Sequence, residues 1–220
     1  MTAEAEPTYS QSGEDRIVKA LFTYFSERQL RRYVDLGSAF PAGHNNTYLA
    51  YTEGATGLLV EADPKYRDET AALRPRDHFL SAAIVPARLA GEGFVEFFRM
   101  GNPGHSTVLP GYAEAAAATK GGIQERVRVP TVTINDILST YMQDDEIDLL
   151  SIDVEGLDAE ILSELDYARF APSVIVAENE GGAPVHRPGL EHHGYGLYAY
   201  NYINTIYYLR TRFPGVNTSV

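Results

Sequence analysis

Tyr33-Val-Asp-Leu-Gly-Ser38, followed by Leu58-Leu-Val-Glu-Ala-Asp63, decides how the rest of this chain is read. Each stretch begins with an apolar run the length of one buried strand. The first stops at a glycine and the second at an acid. A doubly wound sheet holds a nucleoside in this way: the backbone at the glycine turn approaches the ligand, and the acid after the second strand accepts hydrogen bonds from ribose hydroxyls. Only Gly37 and Gly43 lie near the first strand, where a pyrophosphate loop places three glycines within six residues. A cofactor with a ribose but no pyrophosphate fits better, and S-adenosylmethionine is the obvious one.

Outward from these stretches, Ile17, Val18, Leu21, Phe22 and Phe25 recur at helical spacing, with Ser12 and Asp15 as an expected capping box. Residues 1–11 read as a flexible lead-in and 12–220 as one domain. Asn45 or Asn46 is expected to cap a short helix over 47–51, and Pro64 to open another that ends before Pro75. The pattern predicts strands over 33–36, 58–61, 79–85, 94–98 and 127–132, a helical turn over 113–119 and a short helix over 135–141. Residues 147–152 are apolar apart from Asp148 and Ser151, as a central parallel strand is. A helix over 157–165, a strand over 174–177, a long loop over 181–196 and a tyrosine-rich terminal hairpin over 197–209 complete the reading. Strands alternating with helices give an α/β fold, a doubly wound and mostly parallel sheet covered on both faces.

Composition narrows the function. The formal charge of -12 opposes a nucleic-acid partner, which needs clustered Lys and Arg. The chain has no cysteine, which removes disulfides, thiolate catalysis and sulfur-held zinc. The polar, acidic start and the lack of a long apolar run predict a cytoplasmic protein without a membrane partner. Fifteen tyrosines without a tryptophan, partly gathered near the end, suit an acceptor pocket or a homo-oligomer interface.

In such a sheet, ligands sit beyond the carboxyl ends of the strands. Four acidic groups fall at predicted strand ends: Asp35, Glu61 with Asp63, Asp153 with Glu155, and Glu178 with Glu180. One alone is what a chain does on entering solvent; four on one edge point to a site. Glu61 is the expected ribose acid, with Asp63 in the same turn, because charge strengthens its hydrogen bonds to hydroxyls. Asp35 is expected to orient the glycine turn or the cofactor's amino group, and Gly37 to allow close backbone approach. Asp153, Glu178 and Asn179 bring oxygen-bearing side chains to neighbouring strand ends. That set suits Mg²⁺ or another hard cation, which would lower the pKa of a bound hydroxyl, with Glu155 as a substitute ligand. The competing reading makes Asp153 and Glu155 caps of the helix that starts near Leu157. His105 and His44 occupy loops within reach of a substrate, and the general-base role is given to His105. The chain has no Gly-x-Ser-x-Gly elbow and no phosphate loop.

Ser10-Gln-Ser-Gly-Glu-Asp15, Tyr33-Val-Asp-Leu-Gly37, Asn46-Thr47, Gly57-Leu-Leu-Val-Glu-Ala-Asp-Pro64 and Leu149-Leu-Ser-Ile-Asp-Val-Glu-Gly156 occur in that order, with Val176-Ala-Glu-Asn179 after them. Together they resemble the FkbM family of S-adenosylmethionine-dependent methyltransferases over residues 9–180. The resemblance implies a seven-stranded, Rossmann-like methyltransferase fold and O-methylation of a hydroxyl on a small molecule, a sugar or natural product. It implies that Asp35 and Gly37 form the donor turn, that Glu61 is the ribose acid, and that Gln11 and Glu14 wall the donor's methionine end. Ser106-Thr107 resembles the pair that follows a hairpin near the family's active site. Asp153, Glu178 and Asn179 are similar to the ligand set of magnesium-dependent catechol-type methyltransferases. Two alternatives stand beside this reading: a nicotinamide-dependent oxidoreductase, which the missing triple glycine opposes, and a non-catalytic nucleoside-binding protein that kept the fold.

Overall fold

A computed structural model describes residues 7–143, 146–179 and 188–216. Along the chain come α1 (Glu14–Phe25), β1 (Arg32–Leu36), α2 (Tyr48–Thr52), β2 (Thr56–Glu61), α3 (Arg67–Leu73) and β3 (His78–Ser81). The middle of the chain supplies β4 (Ala83–Ile84), α4 (Ala87–Ala90), β5 (Phe94–Met100), α5 (Pro110–Ala116), β6 (Ile123–Val132) and α6 (Ile134–Tyr141). The last third supplies β7 (Leu149–Ile152), α7 (Asp158–Glu164), β8 (Val174–Glu178), α8 (Pro188–His192), β9 (Tyr195–Tyr200) and β10 (Asn204–Leu209).

The main sheet has seven strands in the order β3-β2-β1-β7-β8-β10-β9 among the described residues. The first five in that order are parallel to one another, and β10 runs antiparallel to both β8 and β9. From β1 the chain winds outward to β2 and β3, then returns to the other side of β1 as β7. That reversal opens a crevice beyond the carboxyl ends of β1 and β7.

The strands are apolar on both faces because both are covered. Val34, Leu36, Leu58, Val60, Leu150 and Ile152 pack with Ile134, Ile137 and Leu138 of α6 and Ile161 and Leu162 of α7. The alternate residues Tyr33, Leu59, Leu149, Val174 and Val176 pack with Val18, Leu21 and Phe22 of α1. Period two in the strands and period 3.6 in the helices therefore meet in one core on each face.

Three local expectations are corrected. The strand expected over 79–85 divides at Ala82, β3 joining the main sheet and β4 a second sheet with β6 and β5. The segments at 94–98 and 127–132 form an antiparallel pair in that second sheet, registered from Phe94↔Pro130 to Met100↔Ile123. Glu96, Arg126 and Arg128 are exposed on this pair, and a wet face belongs to an antiparallel ribbon rather than a doubly covered strand. The expected capping box of Ser12 and Asp15 does not form. Gly13 is the N-cap of α1, Ser10 Oγ accepts from the Gly13 amide at 3.0 Å, and Glu14 accepts from the Ser12 amide at 2.9 Å. Asp15 instead accepts from the Tyr9 amide and the Thr8 hydroxyl, both at 2.7 Å.

Gly37 is the hinge of the crevice. Its φ is 77°, and a Cβ there would lie 1.9 Å from the carbonyl oxygen of Asp153. The close approach that requires glycine is thus made by the backbone of the adjoining strand end. Gly37→Ala combines left-handed backbone strain with a backbone clash and is expected to cost about 3 kcal/mol. A urea melt followed by circular dichroism measures this as a lowered midpoint with an unchanged slope.

Candidate active site

The carboxyl ends of β1, β2 and β7 open into one cleft, whose wall includes Gly37, Ser38, Glu61, Asp63, Asp153 and Glu155. Phe97 of β5 and the loop residues Ser106 and Thr107 face them from the second sheet. Three non-glycine residues on this wall have left-handed backbone: Ala39 (φ 36°), His44 (φ 54°) and Glu155 (φ 54°). Strain gathered on one cavity marks a site whose geometry the surrounding structure imposes.

On the β2 side, Glu61 accepts from the amides of Ala39 at 2.8 Å and Asp63 at 2.7 Å. Burial raises its pKa to about 7, against the pull of those two amides. Ser38 Oγ, beside it on the wall, is buried without a hydrogen-bond partner. The turn that carries both is built from below. Asp35 accepts from Asn45 Nδ2 at 2.9 Å and Thr47 Oγ1 at 2.8 Å. The buried Arg74 guanidinium donates to the Pro41 carbonyl, Asn45, Thr47 and Asp77. Asp35 does not line the cleft; its carboxylate shapes the loop after the glycine turn.

Asp63 is held by a bidentate pair with Arg99, at 3.0 Å from Nε and 2.6 Å from Nη2. Lys65 Nζ approaches it at 3.1 Å. Burial would raise the Asp63 carboxyl, but Arg99 and Lys65 hold it below the usual carboxylate value. Gln11 lines the cleft. Glu14 does not: it accepts from Asn201 Nδ2 at 2.7 Å and Asn204 Nδ2 at 3.0 Å, tying α1 to the start of β10.

On the β7 side, Asp153, Glu155 and Glu178 bring one carboxylate oxygen each within 4.8 Å of one another. Burial drives the Asp153 pKa well above its ordinary value, and Glu178 and Glu155 push it in the same direction. Asp153 Oδ1 is buried without a hydrogen-bond partner. Asn179 faces away: its amide donates to the Asn201 carbonyl and accepts from Thr205 Oγ1. The structure therefore gathers Glu155 with Asp153 and Glu178. The helix-cap alternative for Glu155 does not hold, because its carboxylate goes to His105 Nδ1 at 3.0 Å and to the Tyr112 hydroxyl.

His105 stands behind the wall. Its other ring nitrogen meets Lys120 Nζ at 2.9 Å, so the ring bridges Glu155 and Lys120. In the loop over 101–109, Thr107 is buried and its hydroxyl donates to the Glu155 carbonyl at 3.0 Å. Glu180 lies outside the described residues.

Ser38, Arg99, Tyr112 and Lys120 escaped the sequence reading. Arg99 alone left a signal, since alternation in β5 puts it on the face of Phe97, and an arginine there needs a buried partner. Tyr112 and Lys120 reach Glu155 and His105 only through the folding of the 101–122 connection, which no spacing reveals.

No helix among the described residues is long and apolar enough to cross a membrane. No curated protein matches the chain at a significant level. A family model described as a methyltransferase FkbM domain matches residues 35–195, from the second-last residue of β1 to the first of β9. That span takes in both sides of the cleft, Glu61 on one and Asp153 on the other, and the chain belongs to the FkbM family of S-adenosylmethionine-dependent methyltransferases.

Proposed function

We propose that the chain is an O-methyltransferase acting on a hydroxyl of a small molecule, a sugar or natural product. The observation that carries this reading is the pair of buried, partnerless oxygens on one cleft wall: Ser38 Oγ beside the ribose acid and Asp153 Oδ1 within the carboxylate cluster. A buried polar atom without a partner is costly, so each marks a place where a ligand belongs.

When bound, S-adenosylmethionine supplies a sulfonium methyl that passes to the acceptor oxygen as the hydroxyl proton leaves and S-adenosylhomocysteine forms. The residues of this chain do the rest. Glu61 accepts from the ribose hydroxyls while the Ala39 and Asp63 amides fix its orientation. Gln11 closes the methionine end. Once ionised, Asp153 takes the hydroxyl proton on Oδ1, and His105 keeps Glu155 in place from behind rather than acting as the base. Most of the acceleration comes from alignment and electrostatics.

The three carboxylates repel one another, and oxygen donors of this kind suit a hard divalent cation such as Mg²⁺. In this reading Asp153, Glu155 and Glu178 are its ligands. The net charge of -12 fits an enzyme without a nucleic-acid partner.

Calorimetric titration with S-adenosylhomocysteine, with and without Mg²⁺ and against an NADH control, tests the proposal. The expected result is binding of the sulfur nucleoside and none of NADH, with Mg²⁺ raising the melting temperature of the free protein. Silence for S-adenosylhomocysteine would overturn the donor site, and no response to Mg²⁺ would remove the cation.

A further inference from the structure

We propose that Arg99, reaching in from the second sheet, is a positioning residue that sets the ionisation of Glu61 by neutralising Asp63. The inference rests on Glu61 being the donor acid, as proposed above. Its basis is a chain of contacts from one sheet to the other. Arg99 lies on β5, at the end of the antiparallel ribbon, and grips both oxygens of Asp63, whose side chain is only 2% exposed. The Asp63 amide in turn donates to Glu61 Oε1 at 2.7 Å. One ion pair therefore fixes the loop that orients Glu61 and sets a positive charge against the negative one next to it.

Other titratable groups face Glu61 as well. Lys65 and Tyr66 follow it on its own loop, His44 shares the cleft wall from the β1–α2 loop, and Asp153 and Glu155 share it from the end of β7. Lys65 also contacts Asp63, but its side chain is 43% exposed, and solvent screens it. The second partner of Arg99, Glu125, is 58% exposed and pairs with it from the next strand. Arg99 is thus the least exposed cation on Asp63. Without it, Asp63 remains a buried carboxylate beside a buried carboxyl, and the like charge disfavours the ionised form of Glu61.

The consequence can be read against pH. Burial pushes the Glu61 carboxyl up to about 7, so it is expected to titrate across neutral pH. With Arg99→Gln, its midpoint is expected to rise by about one unit. If donor affinity follows the ionised fraction, S-adenosylhomocysteine binding weakens roughly fivefold at pH 7 and hardly at all at pH 9. Loss of shape alone would weaken binding equally at both. The double variant Arg99→Gln/Asp63→Asn removes the uncompensated charge and is expected to return the midpoint and the pH 7 affinity to near their native values.

The experiment is calorimetric titration of the full chain and the two variants with S-adenosylhomocysteine from pH 6 to pH 9. Alongside it, the Glu61 carboxyl carbon is followed by NMR in the free proteins. An upward shift of the Glu61 midpoint in Arg99→Gln, restored in the double variant, supports the inference. An unchanged midpoint, or a loss of affinity independent of pH, overturns it. If the native protein binds no S-adenosylhomocysteine, the donor-site reading fails, while the carboxyl titration still decides whether Arg99 controls Glu61.

Discussion

Asp153→Ala is expected to lose turnover by about a thousandfold and to leave S-adenosylhomocysteine affinity within about threefold of the native value. The cause is the division of the cleft: Glu61, the proposed donor acid, stands at the end of β2, whereas Asp153 belongs to the carboxylates at the ends of β7 and β8. The isosteric Asp153→Asn separates chemistry from folding. In the free protein Asp153 is buried against Glu178 and Glu155, which raises its pKa well above the ordinary value, so its charge is a burden on the fold. Removing it is expected to raise the melting temperature by a few degrees while turnover still collapses. If Asp153→Ala lost donor binding and turnover equally, the division of roles would fail. A lowered melting temperature in Asp153→Asn would show that its carboxylate supports the fold.

Glu61→Ala is expected to weaken donor binding by roughly a hundredfold at pH 8, since two charge-assisted hydrogen bonds to ribose hydroxyls disappear together. The pH dependence should go with them. Folding raises the Glu61 pKa from 4.5 to about 7, so the folded chain binds this proton better than the unfolded one. Stability contributed by the protonated form is therefore present below about pH 4.5 and is lost as the pH rises towards 7. Affinity for the donor runs the other way, growing as Glu61 ionises. Titrations at pH 6, 7 and 8 should show affinity rising in the native protein and flat in Glu61→Ala. A native profile flat across that range would detach Glu61 from the ribose. In Glu61→Gln, part of the lost stability should return at pH 8 without the affinity, as a urea melt would show.

Much of the fold was legible before any coordinates. Tyr33 to Leu36, Leu58 to Glu61 and Ile147 to Ile152 are apolar on both faces, which only a doubly covered parallel sheet accommodates. The acids that end these strands therefore fall on one edge, and Glu61 and Asp153 do stand on one cleft. The hairpin over 197–209 was legible as well, because Tyr207, Tyr208 and Leu209 of β10 are buried beside the half-exposed β9. The second sheet was not. Phe94 to Phe98 has strand composition, but nothing local says that its partner lies beyond a connection of some twenty residues.

The chain alone determined the central parallel strands, the glycine at the turn, the acid beyond the second strand and hence the class of cofactor, because these follow from local periodicity and from residue chemistry at strand ends. Only the tertiary structure decided what each polar group faces. Gly37 makes room for the backbone of Asp153, Asp63 belongs to Arg99, Glu14 to Asn201 and Asn204, and Asn179 to Thr205. The physical reason is that a buried carboxylate or amide takes whichever donor or acceptor the fold brings within about 3 Å, and that donor or acceptor can lie almost two hundred residues away, as Asn204 does from Glu14.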